Sequence, residues 1–415
     1  MFLGLDFGTT GARACVVDSA GVITHSDHID YHNPATQTPE DWRTALLSLL
    51  QRIPQPISEQ LLAIAVDATS STVLLCDGDL TPLAPALLYQ DARAIAQASS
   101  LKKMAPPGHM VCSPTSGLAK FLWLAENSDI ELAHYYMHQA DWLGALLSGI
   151  GGSSDYHNAL KSGYDVVNLC WPEWMTRLPR FDLLPDVLPP GSEIAAIDAA
   201  VARYFSINPA CIICAGTTDS IAAFMATEAK QPGVAVTSLG TTLVLKLLSE
   251  HYVEAAEFGV YSHKYGDLWL AGGASNAGGS VLRQYFTDQQ LTRLSLHIDP
   301  AVESSLDYYP LPRTGERFPI NNPNQLPRLT PRPADDVEFL HGILQALSRI
   351  EADGYAKLSA LGASPLKSVV TCGGGSRNQV WQQIRARLLG VPVMQGMHTE
   401  AAYGAAKLAR CKGIM

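Results

Sequence analysis

The chain has 415 residues, of which 47% are apolar and 16% charged. That composition is globular, too apolar for a disordered chain, and the length suits two or three domains. Lys and Arg number 29 against 39 Asp and Glu, a formal charge of −10 with no basic block, which argues against a nucleic-acid partner or an anionic membrane surface.

Residues 2–6 read as an apolar strand ending in Asp6. Gly8-Thr9-Thr10-Gly11 is a tight turn, and residues 12–18 make a second strand. A third near 22–25 completes a hairpin-type start. A helix is expected over 42–50, an apolar strand over 61–67 that again ends in an Asp, and a strand over 72–76. Helices are expected over 118–127, 130–136, 141–147 and 198–205. A buried strand over 212–215 leads through Gly216-Thr217-Thr218-Asp219 into a helix over 220–227. Residues 234–239, the turn Gly240-Thr241-Thr242 and residues 243–248 repeat the N-terminal arrangement, which suggests a duplicated fold with a cleft between its halves. Seven prolines between 310 and 333 exclude a regular core element there. A helix over 339–355, a strand over 366–371, a helix over 380–389, a short strand over 391–393 and a helix over 401–409 complete an α/β pattern.

No stretch approaches the roughly 18 apolar residues of a membrane span. The opening residues carry no secretory signal pattern. Cys211 and Cys214 form a CxxC inside an apolar run, with no second pair at metal spacing. Reduced, buried or incidental thiols in a cytoplasmic protein are the expectation.

Chemistry concentrates in turns after strands. In Asp6-Phe7-Gly8-Thr9-Thr10-Gly11-Ala12-Arg13 a strand delivers a carboxylate to its end. The glycines allow close backbone approach, and amides and hydroxyls can hold phosphate oxygens. The carboxylate suits Mg²⁺, which prefers oxygen ligands. The segment is neither GxxxxGK[ST] nor GxGxxG, and a plain hairpin turn would read the same way. Asp219 stands at a strand end or helix N-terminus, where its anion is favoured and can accept a hydroxyl proton; an N-cap without chemistry would look alike. Gly240-Thr241-Thr242 is a second phosphate-type turn. Gly373-Gly374-Gly375 leaves a flat backbone on which a purine can lie, beside Asn378.

These segments, in order over the whole chain, resemble the FGGY family of carbohydrate kinases, within the actin-like ATPase superfamily. Asp6–Arg13 resembles its first phosphate motif and Leu239-Gly240-Thr241-Thr242 the second. The run from Gly373 through Gln383 resembles the C-terminal signature, and Glu400-Ala401-Ala402-Tyr403-Gly404 the EAAAxG element. Lys120-Phe121-Leu122-Trp123-Leu124 resembles KxxWL, and Asp91 with Arg93 the WxDxR element, with Tyr89 in place of its Trp. The segment from Asp67 to Val73, with others, resembles a compact D-ribulose kinase group. The Met-His pair that xylulose kinases carry before the Asp/Arg segment is absent, and Ser70-Ser71 stands nearby instead.

The resemblance implies two actin-like ATPase (RNase H-like) α/β domains with a nucleotide and sugar cleft. Residues 1–226 plus 400–415 would be the sugar-binding domain and 227–399 the nucleotide-binding domain. It implies ATP and Mg²⁺ as cofactors and a small sugar as substrate. Asp219 would be the general base, with Asp6 on Mg²⁺ and the sugar and Thr9 on the transferring phosphate. Ser70, Asp91 and Arg93 would contact sugar. Gly8, Thr9, Thr10, Arg13, Gly240, Thr241, Gly273, Gly374, Gly375 and Asn378 would hold ATP. D-ribulose is the expected substrate; D-xylulose or another small ketose or polyol is the alternative. The rival of another class is a non-catalytic, actin-like nucleotide-binding or assembly protein. No coiled coil or interface stripe fixes an oligomeric state.

Overall fold

Leu3, Leu5 and Phe7 alternate with Gly4 and Asp6, and in the computed structural model, which describes residues 1–411, the alternation splits them between two faces of one sheet. The apolar three join a core with Trp42 and Leu46 of helix Pro39–Arg52 and Leu143 of helix Gln139–Ser148. Gly4 lies instead against the backbone of Ala402 and Ala406 in helix Ala401–Cys411, so closely that any side chain at Gly4 would collide with it. Both faces are therefore covered, as apolar strands require.

The chain divides into two compact units, Met1–Ala226 with residues from Glu400 onward, and Thr227–Thr399. The first holds β1 (Phe2–Phe7), β2 (Gly11–Val17), β3 (Ile23–Asp30), β4 (Ala63–Ala68), β5 (Glu193–Ala196) and β6 (Ile212–Thr218), in the order β3-β2-β1-β4-β6-β5. The first three strands form an antiparallel meander; β4 and β6 add in parallel beside β1. The second unit holds β7 (Val234–Leu239), β8 (Leu243–Ser249), β9 (Tyr261–Tyr265), β10 (Leu268–Ser275), β11 (Ser368–Cys372) and β12 (Val393–Gln395), in the order β9-β10-β8-β7-β11-β12. Here β8 pairs with β7 and then with β10, both antiparallel, β9 lies outside β10, and β11 and β12 add in parallel, so the strand senses of β10-β8-β7-β11-β12 repeat those of β3-β2-β1-β4-β6.

Helix Pro39–Arg52 begins one residue after Thr38, whose hydroxyl accepts from the Asp41 amide while Asp41 accepts from the Thr38 amide. This reciprocal cap satisfies two helix-end donors and extends the helix beyond the 42–50 expected.

Two expectations need correction. Residues 130–136 are not one helix: Ile130–Leu132 is a single 3-10 turn, and Tyr135–His138 is a strand paired with Val73–Cys76. Its apolar run is too short for periodicity to separate strand from helix, and pairing decides. Gly216, Thr217 and Thr218 are not a turn either. β6 continues through them past a register shift between Cys214 and Thr217, and the helix starts at Asp219 itself.

The proline-rich segment has neither helix nor strand, yet it is anchored. Phe318 is fully buried against Gly273 and Gly354. Glu316 accepts from Ser275 Oγ at 2.6 Å and the Asn276 amide at 2.8 Å. Among the described residues no helix is long and apolar enough to cross a membrane.

Candidate functional site

The parallel register of the first unit sets its chemistry. Asp6 at the end of β1 stands beside Asp67 at the end of β4, and Asp67 beside Thr217 of β6. Asp219 opens helix Asp219–Ala226 directly after β6. Three strands that run the same way thus deliver three carboxyl groups to one end of the sheet. Asp67, not among the site residues expected from sequence, is fully buried, Asp6 is 4% exposed, and Asp219 is half-buried. The signal for Asp67 was present: its strand, like β1, is apolar and closes on an Asp.

Burial pushes the Asp6 carboxyl above the usual range, opposed by its contact with Asp67 and by Arg13. Asp67 is pushed well above it, by burial first and then by the like charges of Asp6 and Asp219. Neither Asp67 oxygen finds a partner among the amides, hydroxyls and cations of the described residues. The group it meets is the Asp6 carboxyl, and two carboxyls bond only when one carries a proton. Arg13, the register partner of Asp6, pairs with it at 3.4 Å and with Glu400 at 3.5 Å.

The turn after β1 leans over this acidic end. A side chain at Gly8 would come 3.7 Å from Asp6 Oδ1. Thr9 and Thr10 are exposed; their carbonyls are held by Gln37 Nε2 at 2.7 Å and the Tyr31 amide at 2.9 Å. The hydroxyls of Ser70 and Thr218 are buried without a partner among the described residues. Buried polar atoms left open are rare, and they mark places where a ligand or water completes the bonding.

Asp91 and Arg93 pair with each other, Nη2 to Oδ2 at 2.8 Å, and Arg93 lies 5.0 Å above the Trp123 ring. Burial pushes Asp91 up, but the Arg93 side chain and amide more than offset it and hold the carboxyl below its usual value. Sequence reasoning gave Lys120 no role. It is fully buried and donates to the carbonyls of Ser71 at 2.9 Å, Leu88 at 2.7 Å and Tyr89 at 3.1 Å. It therefore fastens the Ser70 loop to the loop of Asp91. Burial pushes its pKa down to about 8, against the opposing charge of Asp91.

In the second unit the turn Gly240–Thr242 is buttressed by Gly279, whose amide donates to the Gly240 carbonyl at 2.8 Å, and by Ser280, whose amide donates to Thr241 O at 3.1 Å. A side chain at Gly374 would meet no described atom within 4 Å. Gly375 is closed in by Leu239 and Trp381. Asn378 caps helix Gln379–Leu389: its Oδ1 accepts from the Trp381 amide at 3.0 Å and its Nδ2 donates to Ser295 Oγ at 2.8 Å. Both ends of its amide are engaged within the protein. Gly273 lies mid-strand beneath Phe318, where a side chain would come 2.8 Å from the ring, so packing alone accounts for it.

Among the described residues no three His, Cys, Asp or Glu side chains form a cage for a metal. Mg²⁺ does not need one, since it keeps several waters and takes one or two carboxylates plus phosphate oxygens. Asp6, with the open cradle at Gly8 above it, fits that requirement.

Comparison with known proteins adds to this geometry. The N-terminal domain of the FGGY family of carbohydrate kinases matches residues 1–226, and the C-terminal domain of that family matches residues 235–411. The xylulose kinase of Escherichia coli (strain K12) is 26% identical over 438 residues, covering 99% of this chain and 90% of that protein. The structure of Plasmodium falciparum glycerol kinase with ADP superposes with a TM-score of 0.86 at 17% identity, covering 99% of this chain and 89% of the other. That of a ligand-bound xylulose kinase from Lactobacillus acidophilus gives 0.84 at 18% identity, covering 99% and 89%. At these identities the structural likeness speaks for the two-domain α/β fold.

Proposed function

The chain belongs to the FGGY family of carbohydrate kinases, and we propose that it transfers the γ-phosphoryl group of ATP to the terminal hydroxyl of D-ribulose. The products are D-ribulose 5-phosphate and ADP. One observation carries the reading: at the ends of β1, β4 and β6 lie two buried carboxyls, a half-buried Asp219 and the hydroxyls of Ser70 and Thr218, which have no partner among the described residues. That is a polar, enclosed set of acceptors and donors suited to a polyhydroxyl ligand.

Asp219 is the general base. Its carboxylate accepts the O5 proton as O5 bonds to the γ-phosphorus and the bond to the bridging oxygen of ADP breaks. Asp6 and Ser70 hold sugar hydroxyls, with Asp91 and Arg93 at the rim of the set. The amides and hydroxyls of Gly8, Thr9 and Thr10 hold the transferring phosphate. Arg13 keeps Asp6 in place through their ion pair. Gly240, Thr241, Gly374 and Gly375 hold the nucleotide, since a chain bare of side chains permits close approach. Asp6 would hold the Mg²⁺ carried by ATP, which would supply charge neutralisation at the phosphate oxygens. The eight cysteines are free, in keeping with a reducing, cytoplasmic setting.

D-xylulose is the second reading, favoured by the names of the relatives above. It differs from D-ribulose only in configuration at C3. ADP production with Mg²⁺·ATP against D-ribulose, D-xylulose, L-ribulose, ribitol, glycerol and a no-sugar control tests both. A kcat/KM for D-ribulose at least about tenfold above the rest supports the first reading, a discrimination of about 1.4 kcal/mol. A maximum at D-xylulose installs the second. ATP binding with no transfer to any sugar removes the kinase reading.

A further inference from the structure

Five buried polar residues of the second unit have no part in the roles above. Arg385 on helix Gln379–Leu389 is 1% exposed and grips Glu351 of helix Asp336–Ala360 twice, Nε to Oε2 at 2.6 Å and Nη2 to Oε1 at 2.7 Å. Its remaining arm, Nη1, donates to Thr371 Oγ1 on β11 at 2.7 Å. Glu351 Oε1 also accepts from Thr237 Oγ1 on β7 at 2.5 Å. Because the Thr237 proton goes to Glu351, the Tyr355 hydroxyl donates to Thr237, at 2.7 Å.

A buried ion pair of this kind adds little net stability over a well-packed apolar set, because both charges lose their hydration. What it supplies is direction. Planar, bidentate bonding fixes the angle between two helices, and two hydroxyls carry that geometry into two strands. Thr237 and Thr371 are register partners on adjacent parallel strands. Three residues beyond Thr237 lies Gly240, and two beyond Thr371 lies Gly373. The two turns also touch: a side chain at Gly373 would come 2.8 Å from the Leu239 carbonyl oxygen. A shift of either strand therefore moves both turns.

We propose that Arg385 and Glu351, acting through Thr237 and Thr371, are positioning residues that hold the Gly240-Thr241 and Gly374-Gly375 turns at the spacing ATP requires. This rests on the reading of those turns as the nucleotide site. Their contribution is to nucleotide affinity, not to the chemical step or to the sugar.

The test uses Thr371→Val, which keeps side-chain shape and removes only the hydroxyl, with Thr371→Ser as the restoring variant. Glu351→Gln is the stronger perturbation, and Thr371→Val carries the test if that variant fails to fold. Expected for Thr371→Val is a KM for ATP raised about tenfold, kcat and the sugar KM within twofold of wild type, and a smaller ATP-induced rise in melting temperature. Thr371→Ser is expected to return the KM for ATP to near its original value. A lowered melting temperature with an unchanged KM for ATP would overturn the inference and leave the network a stabilising one. Gly240→Val, which touches the turn directly, separates the two readings. If it raises the KM for ATP while Thr371→Val does not, the positioning role alone falls. If the wild-type protein binds no ATP, both fall.

Discussion

Asp67 faces Asp6 across the β1–β4 register with neither of its oxygens bonded to an amide, a hydroxyl or a cation of the described residues. A fully buried acid in that state opposes folding, since its desolvation is not offset by donors of the described residues. A chain selected for stability alone would carry an amide or an apolar residue there. Asp67→Asn is expected to keep or raise the melting temperature while lowering kcat by about tenfold or more, the usual exchange of stability for function at a reactive site. Thermal melting and steady-state assay on the same preparation check this. A stable variant with full kcat would show that Asp67 is outside the chemistry.

Asp219→Asn removes the proposed acceptor of the sugar proton and keeps the side-chain shape. A general base contributes about 10²–10⁴ in rate, so kcat is expected to fall by that range. ATP should raise the melting temperature of the variant as much as that of the wild type, because the proposed nucleotide turns are untouched. Full activity in this variant would end the base assignment.

Lys120 offers a pH signature. With its pKa down at about 8 in the folded chain, against about 10.4 for an ordinary Lys, the group is charged in both states below pH 8. Between pH 8 and 10 the unfolded chain binds more protons, so this group's contribution to stability rises with pH. Urea denaturation of wild type and Lys120→Met at pH 7 and 9.5 isolates it. The wild type should gain on the variant at the higher pH. At both pH values the variant should also show a raised sugar KM, because the carbonyls of Ser71, Leu88 and Tyr89 lose their common donor.

Thiol chemistry should follow exposure and not the CxxC pattern. Cys211 and Cys214 are buried, and burial pushes the Cys211 thiol up to about 12. Cys170 is exposed. A disulfide reagent added to the folded protein at neutral pH should label Cys170 first and leave Cys211 unreacted until denaturant is added. Early labelling of Cys211 would show that its strand opens.

Gly404 lies against the backbone of Ala222, closer than any side chain permits. Gly404→Ala forces helix Ala401–Cys411 away from helix Asp219–Ala226. Overpacking of this kind costs about 1–3 kcal/mol or more, read as a lower urea midpoint. An unchanged midpoint would mean that the helix pair slides freely.

The parts of the fold legible in sequence were those with a local cause. The hairpin at the N-terminus, the repeat at Gly240 and the strands closing on Asp6 and Asp67 all follow from alternation and turn chemistry within a dozen residues. Residues 135–138 were not legible as a strand, because their conformation is set by partners at 73–76. Asp219 was visible as a strand-end acid; the reach of β6 to Thr218 was not, since its register shift answers to β4. The least legible residues were Lys120, Glu351 and Arg385. Each is a charged side chain of a helix, and on sequence grounds belongs on a solvated face. Only the folded chain shows carbonyls and hydroxyls from 14 to 114 residues away meeting them.

Helix Ala401–Cys411 closes the unit whose first strand begins at Phe2. Cys15, Val17 and Ala226 share their apolar cluster with Ala402, Tyr403 and Ala406. During synthesis those three wait uncovered until the ribosome has made all of the second unit, Thr227–Thr399, and the helix after it. The sheet of the first unit is therefore finished only after the whole second unit is made, and a chain stopped before helix Ala401–Cys411 leaves the ribosome with a bare, sticky sheet face of the kind chaperones recognise. Loss of helix Ala401–Cys411 would in this way uncover the sheet that carries Asp6 and Asp67, nearly 400 residues away along the chain.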